Sequence, residues 1–247
     1  MKIIRPYAKI MEPELLASAL KRVEYAARVS HRSEENAGDS PEKFIRAVVL
    51  QHGDWSVTEH VSASVEFVVD RGITHEIVRH RLAAYTQEST RFVNYAKKMP
   101  PLFIYPIVGV ECELCLNGDE PTASGSMDRL HCRPWLHGLG NIDCVYEPAW
   151  LCAIQSCEDE YRNLLDLKWR PQEARSVFPN ALSSKIIVTY NLRVWRHFFL
   201  MRTSKEAHPQ MRQVVIPLLA EFQRLVPVLY EDIVPESRQI ENITRGQ

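Results

Sequence analysis

Residues 79–92 read Arg79-His80-Arg81-Leu82-Ala83-Ala84-Tyr85-Thr86-Gln87-Glu88-Ser89-Thr90-Arg91-Phe92, the densest polar run in the chain. Just ahead of it and into it, Ile73, Ile77, Val78 and Ala84 recur at spacings that predict a helix reaching about Ala84, which puts the basic triplet near a helix end. Residues two apart on a helix point roughly 200° away from each other, so Arg79 and Arg81 are expected to serve two ligands, or one ligand at a subunit boundary. Further on, Gln87, Ser89 and Arg91 alternate, and an extended chain would set an amide, a hydroxyl and a guanidinium on one side. Such a row can bind a pyrimidine edge and a phosphate together. A lone Arg-His-Arg is more often a solvated helix face, so the longer spacing has to decide.

Outward from this run the chain is patterned as mixed α and β, helices dominant. On the N-terminal side, Ser40-Pro41-Glu42 reads as N-cap, N1 proline and first-turn acid. Phe44, Ile45, Val48 and Val49 then keep helical spacing, with Gly53 past the end. Val61, Ala63, Val65, Phe67 and Val69 alternate as in a half-buried strand, which Asp70-Arg71-Gly72 interrupts. On the C-terminal side, the pattern dissolves from Tyr105 to Tyr146, predicting an inserted loop or small lobe at about 105–147 within a single catalytic domain spanning 1–247. Helical spacing resumes with Trp150, Leu151, Ile154, Tyr161, Leu164 and Leu165. Lys185 to Tyr190 is a short strand or a helix lead-in, and periodicity does not separate the two. Asn191 to Met201 and Pro209 to Tyr230 read as amphipathic helices, with a kink or stop at Pro217 and Pro227. Arg193 and His197 share a face at i, i+4, whereas Arg196 reads as ordinary solvated charge.

Composition narrows the chemistry. Thirty Lys and Arg against thirty-one Asp and Glu leave a net charge of -1, which disfavours a broad polyanion-binding surface. No apolar run approaches the roughly 18 residues that span a bilayer, and Met1 to Ile10 has no extended apolar core, so a cytoplasmic location is the expectation, with neither membrane nor nucleic acid as partner. Nine glycines include no G-x-G-x-x-G and no G-x-x-x-x-G-K-[ST], so phosphate must be held by side chains, arginine above all. All six cysteines fall between Cys112 and Cys157. Cys112 and Cys115 form a C-x-x-C pair that Cys132 and Cys144, or His131, could complete as a zinc site, a spacing that permits a metal without requiring one. Cys152 and Cys157 read as packing residues of the following helix.

R-H-R followed by seven residues and Ser, here Arg79 to Ser89, resembles the signature of the flavin-dependent thymidylate synthases. Other segments agree in order: Ala26-Ala27-Arg28-Val29-Ser30 at an early helix end, His52-Gly53 through Glu59-His60, then Asn191-Leu192-Arg193, His197, Leu200-Met201-Arg202, Ala207-His208 and Gln210. The resemblance covers roughly residues 20–100 and 148–225, and it implies an α+β, ThyX-like fold with a mixed sheet flanked by helices. It further implies reductive methylation of dUMP to dTMP, with FAD bound, NADPH as reductant, methylenetetrahydrofolate as carbon donor, and a homotetramer. Carried over residue by residue, Ser56, Arg79, His80, Arg81, Gln87, Asn191, Arg193 and His197 would meet FAD. Glu76, Arg79, Gln87, Glu88, Ser89, Thr90, Arg91, Arg175 and Arg202 would meet dUMP, some of them from a neighbouring subunit.

Arg202 is the residue expected to stabilise negative charge as the pyrimidine C5 becomes nucleophilic. No cysteine nucleophile is implied, since Cys132-Arg133-Pro134 is not the Pro-Cys-His-Gln setting of the cysteine-dependent thymidylate synthase. The chain departs from the common pattern at Glu76, where many members have Gln, at Gln87, where many have Glu, and at Asp54, where many have His; two extra residues lie between Arg202 and His208. Two rival classes are a nucleic-acid-binding module with a zinc-knuckle-like lobe and another flavin reductase on the same fold.

Overall fold

A computed structural model describes residues 2–38, 40–97, 99–108 and 147–236. They divide into two compact units, one drawn from Met1–Tyr7, Phe67–Arg79 and Thr86–Ile186, the other from Ala8–Glu66, His80–Tyr85 and Ile187–Gln247. Four strands, β2 (Tyr7–Ile10), β3 (Ser62–Asp70), β4 (Ala84–Gln87) and β6 (Ser183–Asn191), form a sheet in the order β2-β3-β6-β4, and each contributes residues to both units. The alternation from Val61 to Val69 therefore forms a strand as predicted. So does 185–190, where the sequence alone left strand and helix open.

In the first unit, β1 (Lys2–Ile3) pairs in parallel with β5 (Leu102–Phe103), Ile3 facing Phe103. The core of this unit is Tyr95, Phe103, Ile154, Tyr161, Ala174 and Leu182, with Phe178 stacked 4.5 Å from Tyr161. Ile154 and Tyr161 come from α5 (Pro148–Asp166), one turn-pair apart on its apolar face, which is the helix that the 150–165 periodicity predicts. Cys152 on that helix is exposed, and only Cys157 is half-buried, so Cys152 is not the packing residue expected. Asp70 ends β3 and caps α4 (Arg71–Ile77), its carboxylate accepting from Ile73 N at 3.0 Å. Asp70-Arg71-Gly72 is thus a helix start.

In the second unit, the short α1 (Pro13–Ala17) leads into α2 (Ala19–Val29). The latter buries Leu20, Val23 and Ala27, together with Glu24, which Arg28 neutralises at 2.6 Å; the Arg28 guanidinium also lies 4.1 Å from the Phe44 ring centroid. The helix after Pro41 begins as α3 (Glu42–Ile45) and continues over Arg46–Gln51 as a π-helix, and Gly53 adopts φ 83°, the left-handed conformation open to glycine. An aromatic core joins α7 (Leu192–Arg202), α8 (Pro209–Leu225) and α9 (Pro227–Tyr230): Trp195 stacks on Phe199, and Phe222 and Tyr230 meet Phe199 at 5.0 and 5.7 Å. Two polar atoms buried with it are satisfied by backbone, Trp195 Nε1 on Ala63 O at 3.0 Å and Tyr230 Oη on Leu192 O at 2.9 Å. Pro217 lies inside α8 without ending it, whereas α8 does stop at Leu225, ahead of Pro227.

Candidate functional site

The helix predicted to reach about Ala84 ends at Ile77. Val78 N and Arg79 N close the last turn on Thr74 O and Glu76 O, and the chain then reverses through Leu82, whose φ is 64°. Arg79, His80 and Arg81 consequently lie in a turn, where helical directions do not govern them. Each side chain points as the turn dictates: Arg79 and Arg81 are exposed, and His80 is 7% exposed.

His80 is the centre of the second unit's polar cluster. Arg202 Nε donates to His80 Nε2 at 2.8 Å, and the His80 ring packs edge-on against Phe198 at 4.9 Å and His197 at 6.1 Å. Burial first, then the Arg202 cation and His197, push the His80 pKa down to about 4, so the imidazole is neutral near pH 7. The backbone of His80 is held as well, because the Tyr85 hydroxyl donates to its carbonyl. Tyr85 has one proton to give, so Tyr190, whose hydroxyl is 2.9 Å away, donates to Tyr85. Burial and then the Tyr85 hydroxyl hold Tyr190 protonated well above the ordinary phenol range.

The other residues of this unit are more open. Asn191 caps α7, its Oδ1 accepting from Val194 N at 2.9 Å, which leaves the amide nitrogen for a ligand. Arg193 is exposed and ion-paired with Glu59 at 2.7 Å, a surface pair worth about 0–1 kcal/mol that a phosphate could replace. His197 and Ser56 are exposed, Ser56 on the 3₁₀ turn Trp55–His60. Arg196 is not the solvated charge expected: it pairs with Asp232 at 2.5 Å, donates to Leu229 O at 2.7 Å and lies over the Trp55 ring at 4.7 Å. The cluster offers exposed donors, a neutral imidazole and a guanidinium. That donor set fits the diphosphate and the heteroatom-edged ring of a flavin dinucleotide, with side chains doing what glycine-loop amides do elsewhere.

In the first unit, Gln87 ends β4 and gives its amide nitrogen to the Thr74 and Ser184 hydroxyls at 3.0 and 3.1 Å. The extended row expected through Arg91 stops there. Phe92 N and Val93 N both bond Ser89 O, so residues 89–92 turn, and Ser89, Arg91 and Gln87 do not share a strand face. Glu88 is engaged inside its unit by the Tyr95 hydroxyl at 3.2 Å and Lys185 N at 3.4 Å; burial and then Glu88 push the Tyr95 pKa upward. Arg175 NH1 donates to Thr90 Oγ1 at 2.6 Å, and Arg91 Nε to Gln172 Oε1 at 3.1 Å. Glu76 is half-buried on α4. Tyr85, Tyr190 and Gln172 are not singled out by the sequence. Only Tyr85 carries a signal there, being a hydroxyl inside the motif.

Cys112, Cys115, His131, Cys132 and Cys144 lie outside the described residues. Among the described residues no helix is long and apolar enough to cross a membrane.

The profile of the family described as "Thymidylate synthase complementing protein" matches residues 14–228. A flavin-dependent thymidylate synthase of Corynebacterium efficiens is 31% identical over 229 residues, covering 91% of this chain and 81% of its own. One from Mycobacterium sp. (strain KMS) is 33% identical over 218 residues, covering 85% and 78%. Among solved structures, a UMP/dUMP methylase from Streptomyces cacaoi bound with 5-Br dUMP superposes with a TM-score of 0.66 at 23% identity, over 94% of this chain and 96% of that one. The last likeness is one of fold.

Proposed function

Since the chain belongs to the family of flavin-dependent thymidylate synthases, we propose that it carries out the reductive methylation of dUMP to dTMP in the cytoplasm, as a homotetramer, with methylenetetrahydrofolate as carbon donor and NADPH as reductant. The observation that carries the reading is the family match: it spans 14–228, which includes every residue assigned below and runs through both units. The same span supports reading 1–247 as one catalytic domain with an insertion at about 105–147. The family match also weighs against the nucleic-acid-binding module.

FAD, when bound, supplies the hydride that completes the methyl group. Ser56, Arg79, His80, Arg81, Gln87, Asn191, Arg193 and His197 would hold it, the exposed cations Arg79, Arg81 and Arg193 taking the diphosphate charge. Glu76, Arg79, Gln87, Glu88, Ser89, Thr90, Arg91 and Arg175 would hold dUMP. Arg202 is the catalytic residue of the reading: its guanidinium would stabilise negative charge on the pyrimidine as C5 becomes nucleophilic, a contribution of several kcal/mol in a preorganised site. The bond from Arg202 Nε to His80 Nε2, which orients the guanidinium, supports this role. The proton of His80 sits on Nδ1, so the ring accepts from Arg202 and does not repel it.

Tritium release from C5-labelled dUMP, together with dTMP formation, tests the reading. The wild-type holoenzyme should show both, and Arg202→Ala should abolish both while keeping bound flavin nearly intact. Unchanged turnover of Arg202→Ala at saturating dUMP would overturn the assignment of Arg202, and no tritium release by the wild type would overturn the function.

A further inference from the structure

Arg91 and Arg175 lie 84 positions apart in sequence, yet their guanidiniums are tied to one residue. Arg91 Nε donates to the side-chain Oε1 of Gln172 at 3.1 Å, and Arg175 Nε donates to the backbone carbonyl of Gln172 at 3.2 Å. Arg175 is tied a second time, through NH1 to the buried Thr90. Arg91 also lies 5.3 Å from the Phe92 ring centroid. Gln172 itself is placed by α6 (Pro171–Ala174), a one-turn helix that Arg170 and Glu173 brace by pairing with each other.

This arrangement is specific in what it spends. Each arginine gives its Nε to the protein, which fixes the guanidinium plane and leaves the terminal nitrogens for something else: both on Arg91 and NH2 on Arg175. Among the described residues no carboxylate pairs with either guanidinium. Two like charges held on one anchor without a counter-charge raise the local positive potential, which is what a dianionic phosphate monoester needs and what an uncharged nucleoside does not use. A long arginine side chain loses rotamer freedom when fixed, so an anchor that fixes it beforehand lowers the cost of binding.

We propose that Gln172 is a positioning residue for the phosphate of dUMP, acting through Arg91 and, by its carbonyl, Arg175. The proposal rests on the reading that these arginines meet the nucleotide phosphate. It makes Gln172 a determinant of selectivity for nucleotide over nucleoside.

Calorimetric titration of the FAD-loaded enzyme with dUMP and with deoxyuridine tests it. Gln172→Met keeps the shape of the side chain and removes the acceptor; dUMP affinity should fall about fivefold to tenfold, with deoxyuridine affinity held within about twofold. Gln172→Glu should weaken dUMP further than Gln172→Met, because a carboxylate would pair with Arg91 and repel phosphate, an ordering that simple loss of packing does not produce. In an Arg91→Met background, Gln172→Met should add little, as expected for a residue acting through Arg91. If both Gln172 variants bind dUMP like wild type while Arg91→Met does not, Gln172 has no positioning role. Equal loss for dUMP and deoxyuridine would likewise overturn the proposal. Wild-type dUMP affinity in both Arg91→Met and Arg175→Met would show instead that the phosphate is held elsewhere, and the underlying reading would fall first.

Discussion

Arg202 Nε stands 2.8 Å from His80 Nε2, and because a guanidinium can only donate, the imidazole must accept. The contact therefore sets the tautomer of His80, with the proton on Nδ1, and adds to burial in keeping the ring neutral. A cation is docked against a ring that would itself become a cation at moderately low pH.

The pH dependence of stability follows. His80 titrates at about 4 when folded against 6.5 ordinarily. Between these values the unfolded chain holds more protons, so acidification from 6.5 towards 4 removes stability, and the contribution is fully present above 6.5. Urea midpoints at pH 7 and pH 5 should differ more for wild type than for His80→Gln. An identical pH dependence in the two proteins would show that His80 is not the group concerned.

Tyr85→Phe removes the hydroxyl that bonds the His80 carbonyl and receives Tyr190, and it should cost about 1–2 kcal/mol of stability. Tyr190→Phe acts on the same chain of bonds. The double variant should lose less than the two single losses added together, measured by denaturant unfolding; strict additivity would mean the two hydroxyls work independently.

On the proposed function Asn191 would have two separable jobs: its Oδ1 caps α7, and its amide nitrogen would donate to FAD. Asn191→Asp retains the cap and should stay within about 0.5 kcal/mol of wild type, yet it should bind FAD about tenfold more weakly, because a donor is lost and a negative charge gained. Asn191→Ala should cost about 1 kcal/mol of stability as well. Retention of full FAD affinity by Asn191→Asp would restrict Asn191 to capping.

A fourth expectation lies away from the site. Lys168 follows α5 at φ 70°, with Lys168 N on Leu165 O and Trp169 N on Leu164 O, a Schellman ending that favours glycine. Lys168→Gly should stabilise the protein by about 0.5–1 kcal/mol, raising the melting temperature by roughly 1–4 °C without altering activity. A lower melting temperature would mean that the lysine stem contributes more packing than its exposure suggests.

Elements with a period are legible in the sequence. The alternation over Val61–Val69 becomes β3, the Trp150–Leu165 spacing becomes α5, and Gly53 sits past its helix with a φ that glycine tolerates. Periodicity goes wrong where backbone direction changes without an apolar signal. Ile73 and Ile77 describe α4 correctly, but Ala84 falls into register by coincidence, and nothing in the chemistry of Leu82 announces a positive φ. Candidate site residues stand out in the sequence as types in a motif, not as partners. That Gln172 meets Arg91, or that Arg196 is taken by Asp232, depends on contacts between distant segments, which spacing along one segment cannot encode.

The π-helix at Arg46–Gln51 bears on how this chain can vary in length. A π turn takes in one residue more than an α turn, so deleting a residue there would leave a serviceable helix, and helix-forming ability alone would not select against it. The lost residue would, however, turn everything downstream by about 100° relative to α3, including Gly53 and the 3₁₀ turn that carries Ser56. Over 46–51 the chain should therefore accept exchanges of residue type far more readily than single-residue gaps, which makes the spacing itself, and no particular side chain, the heritable feature of that segment.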